Sequence, residues 1–584
     1  MSRIASNQTE QPGSLAASYR DALDRLVAQQ APARLFDRDP FFWKREPAPA
    51  AVIRNRLGWL DSPAWLVAHR DELRGFAAAV RSEGFTRIVL LGMGGSSLAP
   101  EVLQRSLRPG PGAPTLSVLD STDPAALRSA EAGARLDRTF FLVSSKSGST
   151  VETRSQYRYF RAALEAAGIR DAGTRFAAVT DEGSALDTLA VKEGFRAVFR
   201  NPPDIGGRYS ALSYFGMVPA ALLGLDLDML ASRAARARTA ATERDPASNP
   251  ALRLGAFLAG AAKAGRDKLT LLTPPALRPL GYWIEQLVAE STGKEGRGLI
   301  PIEGEPLGPA HHYGGDRVFV CLKLAGQPDA DLDRLQGDLS RIGAPTARIE
   351  LPDTEEIAGE FFRWEAATAF AGAALGINPF DEPNVQESKD ATQRLLGALA
   401  RDDRFPEETP RAEDEGVAIG ANAEIWERMT AGLPAHSSLE FALQRFLSLA
   451  RKDDYLAVLA YIERTAESES AFANLRRAVR NATHLPVLQG YGPRYLHSIG
   501  QLYKGGPATG LFLVLTADAP PGTDAAIPGS DFSFAQLLRA QALGDMESLA
   551  AHDKPALRLH LGRGVTAGLA VVNQAIERAV AAKV

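Results

Sequence analysis

The sequence predicts an α/β protein with two domains of mostly parallel sheets flanked by helices, followed by an α-rich C-terminal region. From about residue 70, short apolar runs alternate with helical stretches, as at RIVLLG (87–92), FFLVSS (140–145) and RFAAVT (175–180). Runs that are apolar throughout indicate strands buried on both faces of a sheet. The same alternation returns at KLTLLT (268–273) and RVFVCLKL (317–324), which predicts the second domain.

A chain of 584 residues is too long for one hydrophobic core, so several domains are expected. We expect an N-terminal helical segment (1–69), a first α/β domain (70–245), a second (246–400) and the C-terminal region (401–584). In that last region, residues 401–416 are acidic and contain prolines, a composition typical of a linker. Further on, the pattern predicts helices over 437–450 and 453–482 and a strand at 510–516.

Composition narrows the class of protein. The net charge of −4 argues against a nucleic-acid-binding protein, which normally has a basic excess. The single cysteine, Cys321, lies in an apolar run and has no partner for an intramolecular disulfide, so a buried thiol in a reducing compartment is expected. The polar N-terminus and the lack of long apolar stretches predict a cytoplasmic protein without a membrane span. Eight scattered histidines and one cysteine support no metal site.

Residues 142–153, LVSSKSGSTVET, predict a seat for a phosphate group. An apolar strand runs into a turn rich in hydroxyl side chains, with Lys146, and then into a helix. The first amides of a helix have no intrahelical partners, and the helix dipole favours an anion there. Taken alone, the pattern also fits a simple Ser/Thr-rich helix cap.

A glycine-rich turn, LLGMGGSSLAP (90–100), follows an earlier strand. Glycine permits close approach of the backbone to a ligand, but alone such a turn is more typical of a tight strand–helix connection. Ligands of parallel sheets bind at the carboxyl ends of strands. Both turns lie at such ends, so the sequence predicts that the functional site lies beside these two turns.

The pairing of GMGGSS with SKSGST some fifty residues later resembles the sugar isomerase (SIS) domain, and within it the glucose-6-phosphate isomerase family. Three further segments in family order extend the resemblance: GGRYSALS (206–213), ESTGKEG (290–296) and GINPFDEPNVQESK (376–389). The likeness covers the chain from about residue 50. It looks most like the isomerase half of bifunctional transaldolase/glucose-6-phosphate isomerases, without a transaldolase half.

The resemblance implies reversible isomerisation of glucose 6-phosphate and fructose 6-phosphate, by ring opening and proton transfer through a cis-enediol, without metal or cofactor. It implies Glu290 as the base, Arg208 as the cation beside the enediolate, and Lys389 near the ring oxygen or C1. Without the family resemblance, Glu290, Arg208 and Lys389 would be interpreted as solvated surface groups. The residues implied to bind the sugar and its phosphate are Gly94, Gly95, Ser96, Ser145, Lys146, Ser147, Thr150, Thr153 and Gly207, with Ser97 as an additional candidate.

The ring-opening histidine has two candidates. His312 falls at the family's usual distance after Gly-Glu-Pro (304–306), but its flanking residues match poorly. HSIGQLYKGG (497–506) resembles a family histidine segment, so His497 is favoured. We expect His497 to reach the site from the C-terminal region, either within its own chain or from a partner subunit. Both a homodimer and a monomer fit this expectation.

One alternative stays open, and two others are disfavoured. Thr292 replaces an asparagine of the family segment and makes dual activity on glucose and mannose phosphates worth testing. A non-catalytic sugar-phosphate-binding regulator is disfavoured, because no basic helical module stands at the N-terminus. Transaldolase activity is disfavoured as well, since the first 50 residues are too few for a barrel.

Overall fold

The computed structural model describes residues 7–132, 135–405, 409–431, 438–562 and 564–581. These residues form two compact units. Unit 1 runs to Asp120 and continues through Ala130–Gly304 and Arg317–Glu382. Unit 2 takes Ser121–Ser129, Glu305–Asp316 and the chain from Pro383 onward.

The strands are β1 (Gln8–Gln11), β2 (Arg87–Gly92), β3 (Thr115–Leu119), β4 (Thr139–Ser144), β5 (Phe176–Asp181), β6 (Ala197–Asn201), β7 (Lys268–Leu272), β8 (Ile300–Ile302), β9 (Arg317–Leu324), β10 (Thr346–Leu351), β11 (Ala412–Asp414), β12 (Val417–Gly420), β13 (Tyr455–Tyr461), β14 (Val487–Tyr491), β15 (Gly510–Thr516) and β16 (Ala556–Leu561).

The helices are α1 (Ala16–Ala28), α2 (Ala31–Phe36), α3 (Pro47–Arg54), α4 (Ser62–Ser82), α5 (Leu98–Ser106), α6 (Pro124–Glu131), α7 (Val151–Ala166), α8 (Ala185–Lys192), α9 (Tyr214–Leu222), α10 (Leu227–Thr242), α11 (Pro250–Lys263), α12 (Arg278–Thr292), α13 (Ala330–Arg341), α14 (Ile357–Leu375), α15 (Val385–Asp402), α16 (Ala423–Thr430), α17 (Leu439–Leu447), α18 (Ala466–Thr483), α19 (Gly500–Gly505), α20 (Phe534–Ala551) and α21 (Val565–Ala581).

Unit 1 contains two five-stranded sheets. The first is parallel throughout, in the order β3-β2-β4-β5-β6. Gly92 at the end of β2 pairs with Ser144 at the end of β4, so the glycine-rich turn and the hydroxyl-rich turn leave the sheet side by side. The α/β class with mostly parallel sheets is therefore confirmed, and its central strands are the apolar runs that predicted it.

The second sheet of unit 1 has the order β1-β10-β9-β7-β8, with only β1 antiparallel to its neighbour. Helix α14 is apolar on nearly all sides and buried along almost its whole length, as expected for a helix inside a core. Cys321 on β9 is buried, as expected, and burial raises the pKa of its thiol to about 12.

Unit 2 is rich in helices and contains a six-stranded sheet in the order β11-β12-β16-β15-β13-β14. The predicted helix over 453–482 is wrong in its first part, because Tyr455–Tyr461 is strand β13 and only Ala466–Thr483 is helical. Strand β13 is buried on both faces, and an apolar run of that kind cannot be told from a helix by its period. Within the predicted linker, Ala412–Asp414 forms β11, paired with β12.

In the part of the chain that the structure describes, no helix is long and apolar enough to cross a membrane.

Candidate active site

The turn after β2 touches the turn that carries Arg208. A Cβ atom added to Gly95 would lie 2.2 Å from the carbonyl oxygen of Gly207, far inside van der Waals contact. Gly94, its neighbour, has a φ of +54°, which side chains disfavour. Gly94 and Gly95 are thus required by backbone geometry, and Ser96 is buried beside them.

The hydroxyl-rich turn after β4 is organised by its own side chains. Ser145 Oγ lies 3.1 Å from Thr150 Oγ1 and accepts a hydrogen bond of 3.2 Å from the amide of Gly148. Ser147 Oγ lies 2.8 Å from Ser149 Oγ. Helix α7 then begins at Val151 with no side-chain cap on its first amides. Thr153 is buried, and within the described residues its hydroxyl has no hydrogen-bond partner.

Lys146 of this turn is held by an ion pair. Its Nζ lies 2.5 Å from Asp181 Oδ2, at the end of β5, and donates to the carbonyl of Pro203 at 3.1 Å. Burial raises the pKa of Asp181, and the Lys146 charge counteracts that rise. The lysine therefore contributes its charge beside the turn while its position is fixed by the neighbouring strand.

Arg208 lies at the centre of a buried cluster in unit 1. Its side chain is 3% exposed, and Nη1 donates to Glu290 Oε1 at 3.1 Å and to Glu382 Oε2 at 3.0 Å. The other nitrogens donate to Ser291 Oγ and to the carbonyls of Pro379 and Asp381, at 2.8 to 2.9 Å. A planar guanidinium is suited to satisfying several acceptors at once. Three separate sequence motifs therefore meet at Arg208.

Glu290 is buried near the end of α12. Gln286, one turn earlier on the same helix, donates from Nε2 to Glu290 Oε2 at 3.1 Å. Burial raises the pKa of Glu290, the Arg208 charge opposes that rise, and the Glu382 carboxylate adds to it. A carboxyl group in this setting can exchange a proton nearer to neutral pH than a solvated glutamate.

Lys294 and Thr292 lie close to Glu290 in the sequence. The sequence patterns indicated no role for Lys294, although it lies in the same ESTGK segment. Its Nζ donates to the backbone carbonyl of Asp381 and, at 2.7 Å, to its carboxylate, and burial lowers its pKa to about 8. Thr292 donates to the carbonyl of Val288 at 2.8 Å and accepts from the amide of Leu299 at 2.9 Å. Its hydroxyl is therefore hydrogen-bonded to two backbone groups.

The remaining candidates belong to unit 2. Lys389 is exposed on the second turn of α15, and His497 is half-buried at the end of the turn Arg494–His497. Gln501 joins their segments, because it accepts from the amide of Asn384 at 2.8 Å and donates to its side chain at 2.9 Å. His312 is half-buried as well, and burial lowers the pKa of its imidazole.

Across the described ranges, no group of three or more His, Cys, Asp or Glu side chains is arranged to hold a metal ion. The cluster around Arg208 offers a carboxyl base with a raised pKa, beside a fixed cation. Such a pair suits proton abstraction next to a carbonyl group, where negative charge develops on oxygen.

Comparison with known proteins gives concordant matches. The profile of the phosphoglucose isomerase family matches residues 67–295. A glucose-6-phosphate isomerase of Rubrobacter xylanophilus is 31% identical over 56% of this chain and 87% of its own length. One of Synechococcus elongatus is 34% identical over 61% of this chain and 74% of its own. A solved structure of a hypothetical protein from Thermus thermophilus superimposes with a TM-score of 0.57, at 24% identity, over 67% of this chain and 99% of that one, and supports the fold.

Proposed function

The chain belongs to the phosphoglucose isomerase family, and from this premise we propose that it interconverts glucose 6-phosphate and fructose 6-phosphate. The observation that carries the proposal is the buried contact of Arg208 with Glu290, at 3.1 Å. The reaction needs a base that moves a proton between C1 and C2 and a cation that stabilises the enediolate between them. These two side chains have the chemistry of the two roles.

We assign the proton transfer to Glu290. Because its pKa is raised by burial, the carboxylate is a stronger base than a solvated glutamate, and the carboxylic acid formed can return the proton to the neighbouring carbon. Arg208 is the group that balances the charge of the enediolate. Its hydrogen bonds to backbone carbonyls fix it in place, so little reorganisation is required as charge develops.

We assign binding of the substrate phosphate to the turn after β4. Ser145, Ser147 and Thr150 supply hydroxyls, the uncapped first turn of α7 supplies amides, and the buried hydroxyl of Thr153 is available on the same turn. Lys146 adds positive charge from its ion pair with Asp181. Binding the distant phosphate would position C1 and C2 and so contribute to the rate.

We assign ring opening to His497, in preference to His312, with Lys389 as its companion. Support comes from the resemblance of the 497–506 segment to the family and from the hydrogen bonds that join Gln501 to Asn384. The four-part domain division, the cytoplasmic location and the likeness to the bifunctional subgroup are part of the same proposal. His497 can take this role either in its own chain or in a partner subunit.

The decisive experiment is a coupled assay that supplies fructose 6-phosphate and follows glucose 6-phosphate through its dehydrogenase. Glu290→Gln keeps the shape of the side chain and removes the base, so we expect turnover to fall by at least about 10³-fold. Glu295→Gln, five residues further on and exposed, is the matched control and should retain wild-type activity. A wild-type protein that binds both sugar phosphates but does not interconvert them would refute the proposal.

A further inference from the structure

Unit 2 contains a cavity of about 890 Å³ on one face of its sheet. Every second residue of β13, β15 and β16 enters the apolar cluster on the other face, including Val458, Leu515 and Leu559. The residues of opposite orientation include the polar side chains that line the cavity: Tyr461, Thr516, Arg558 and His560. Helix α20 contributes part of the facing wall. This face of the sheet therefore presents several polar side chains to the cavity.

Three of these polar side chains, those of Tyr461, Thr516 and His560, form a row across the sheet. Tyr461 pairs with Thr516, Thr516 with His560, and His560 with Ala418 of β12, so the four lie on adjacent strands at one level. Thr516 Oγ1 lies 3.0 Å from His560 Nδ1. Tyr461 and Thr516 are the last residues of β13 and β15. The row thus lies at the carboxyl ends of the parallel strands.

The strand order makes this position significant. The four parallel strands lie in the order β14-β13-β15-β16, so the chain moves from β13 to one side and then returns to β15 on the other. A sheet of this kind opens a crevice between the carboxyl ends of the two strands where the direction changes, and ligands bind there. The segments that follow β13 and β15 both line the cavity, through Glu463 and Asp518 among others.

The lining combines three kinds of chemistry. Arg404, Arg539 and Arg558 supply cationic groups for an anion such as phosphate. The ring of His560 is held between Thr516 and Asp518, whose Oδ2 lies 3.3 Å from His560 Nε2. Asp123 and Glu463 supply carboxylates that accept from hydroxyl groups; burial together with the Glu463 charge raises the pKa of Asp123 to about 6. Leu538, Leu543 and the ring of Phe405 add apolar surface, with the Arg539 guanidinium 5.1 Å from that ring. Ligand sites typically range from about 300 to 1,000 Å³.

We propose that unit 2 binds a mononucleotide in this cavity. The phosphate lies against the Arg558 guanidinium, the ribose hydroxyls donate to Glu463 and Asp123, and the base packs on the apolar wall of α20. The three components of a nucleotide match the three kinds of lining, and the volume lies within the range of known ligand sites. Neither Lys389 nor His497 lines this cavity, so the site is separate from the isomerase residues assigned in unit 2.

The test is calorimetric titration of the full-length protein with AMP, in the presence of saturating fructose 6-phosphate so that any isomerase site is occupied. Inorganic phosphate and adenosine are titrated separately as partial ligands. Arg558→Met removes the cation and keeps the aliphatic stem. Arg394→Met, an exposed arginine of α15 that pairs with Glu547 and lies outside the cavity lining, is the matched control. Thr516→Val is a second cavity variant in case Arg558→Met does not fold.

We expect one AMP per chain, with affinity above that for phosphate or adenosine. Arg558→Met should weaken AMP binding at least about tenfold, while Arg394→Met and the isomerase activity of both variants stay unchanged. Thr516→Val should weaken binding in the same direction. Absence of AMP binding, equal binding by wild type and the cavity variants, or competition between AMP and fructose 6-phosphate would each overturn the proposal.

Discussion

Arg208 and Glu290 form an ion pair with a nitrogen–oxygen distance of 3.1 Å, in which the two side chains are only 3% and 11% exposed. A buried charge pair is retained only when its remaining groups find partners, and Arg208 meets this condition through Ser291 and two backbone carbonyls. Burial nevertheless outweighs the arginine in its effect on Glu290, whose pKa is raised. The pair therefore keeps a base and a cation in contact, and the pKa of the base is still raised.

Glu382→Gln should shift the pH profile of activity toward acid. The Glu382 carboxylate raises the pKa of Glu290, so its removal lowers that pKa, and the base stays ionised at lower pH. We expect the acidic limb of kcat/KM to move to lower pH, with a gain of about two- to fivefold on that limb. The measurement is kcat/KM against pH, beside Glu295→Gln. A limb that moves toward neutral pH would contradict this account.

Gly95→Ala should destabilise the protein strongly. The added methyl group would meet the Gly207 carbonyl, a backbone group that cannot yield without moving the Arg208 turn. We expect a loss of about 2–3 kcal/mol in the free energy of unfolding, together with lost activity. Gly207→Ala is the matched control for stability, because a Cβ there meets no atom within 4 Å. Equal thermal midpoints for the two variants would show that the contact is unimportant.

Glu365→Gln should stabilise the protein, increasingly so as the pH rises. Glu365 of α14 is fully buried, neither carboxylate oxygen has a hydrogen-bond partner among the described residues, and burial raises its pKa well above 4.5. The folded protein thus holds a proton that the unfolded chain releases above about pH 4.5, and stability falls as pH increases from there toward the folded-state pKa. Glutamine removes this dependence.

The measurement for Glu365→Gln is urea unfolding at about pH 5 and pH 8, with each unit of pKa shift contributing about 1.4 kcal/mol. Exposed Glu165→Gln serves as the control. A variant whose advantage over wild type shrinks toward alkaline pH would contradict the assigned direction.

His497→Ala should slow ring opening selectively. We expect turnover of glucose 6-phosphate to fall about 10²-fold or more, the usual range for losing a general acid or base. Erythrose 4-phosphate, whose phosphorylated C4 hydroxyl cannot close a ring, should be turned over at the wild-type rate. His312→Ala is the paired variant. If His312→Ala shows the selective loss instead, the assignment passes to His312.

The sequence predicted those parts of the fold in which the pattern of apolar residues is compatible with only one type of structure. The runs at 87–92 and 140–145 became central parallel strands, and Cys321 is buried as its apolar surroundings indicated. Strand β13 was misread because a fully buried run has no alternation to separate a strand from a helix. Lys294 was missed because its importance comes from its buried position beside Asp381, which lies 87 residues away in the chain.

In the candidate active site too, the sequence identified residues but not the contacts between them. The motifs identified Arg208 and Glu290 separately, but their contact depends on how a turn and a helix pack in three dimensions. Likewise, nothing in the sequence around Lys146 indicates Asp181, which reaches it only because β4 and β5 are neighbours in the sheet. The roles assigned to Lys389 and His497 stay predictions that the variants above test.

The contacts of Arg208 also have an evolutionary consequence. One guanidinium joins Glu290, Glu382 and the backbone that precedes Glu382, so these positions cannot drift independently. A substitution at any one of them changes the effect of a substitution at the others, which is epistasis. Deep mutational scanning of paired variants should therefore find these positions strongly non-additive, and a lineage that replaced Glu382 would face different constraints at Arg208.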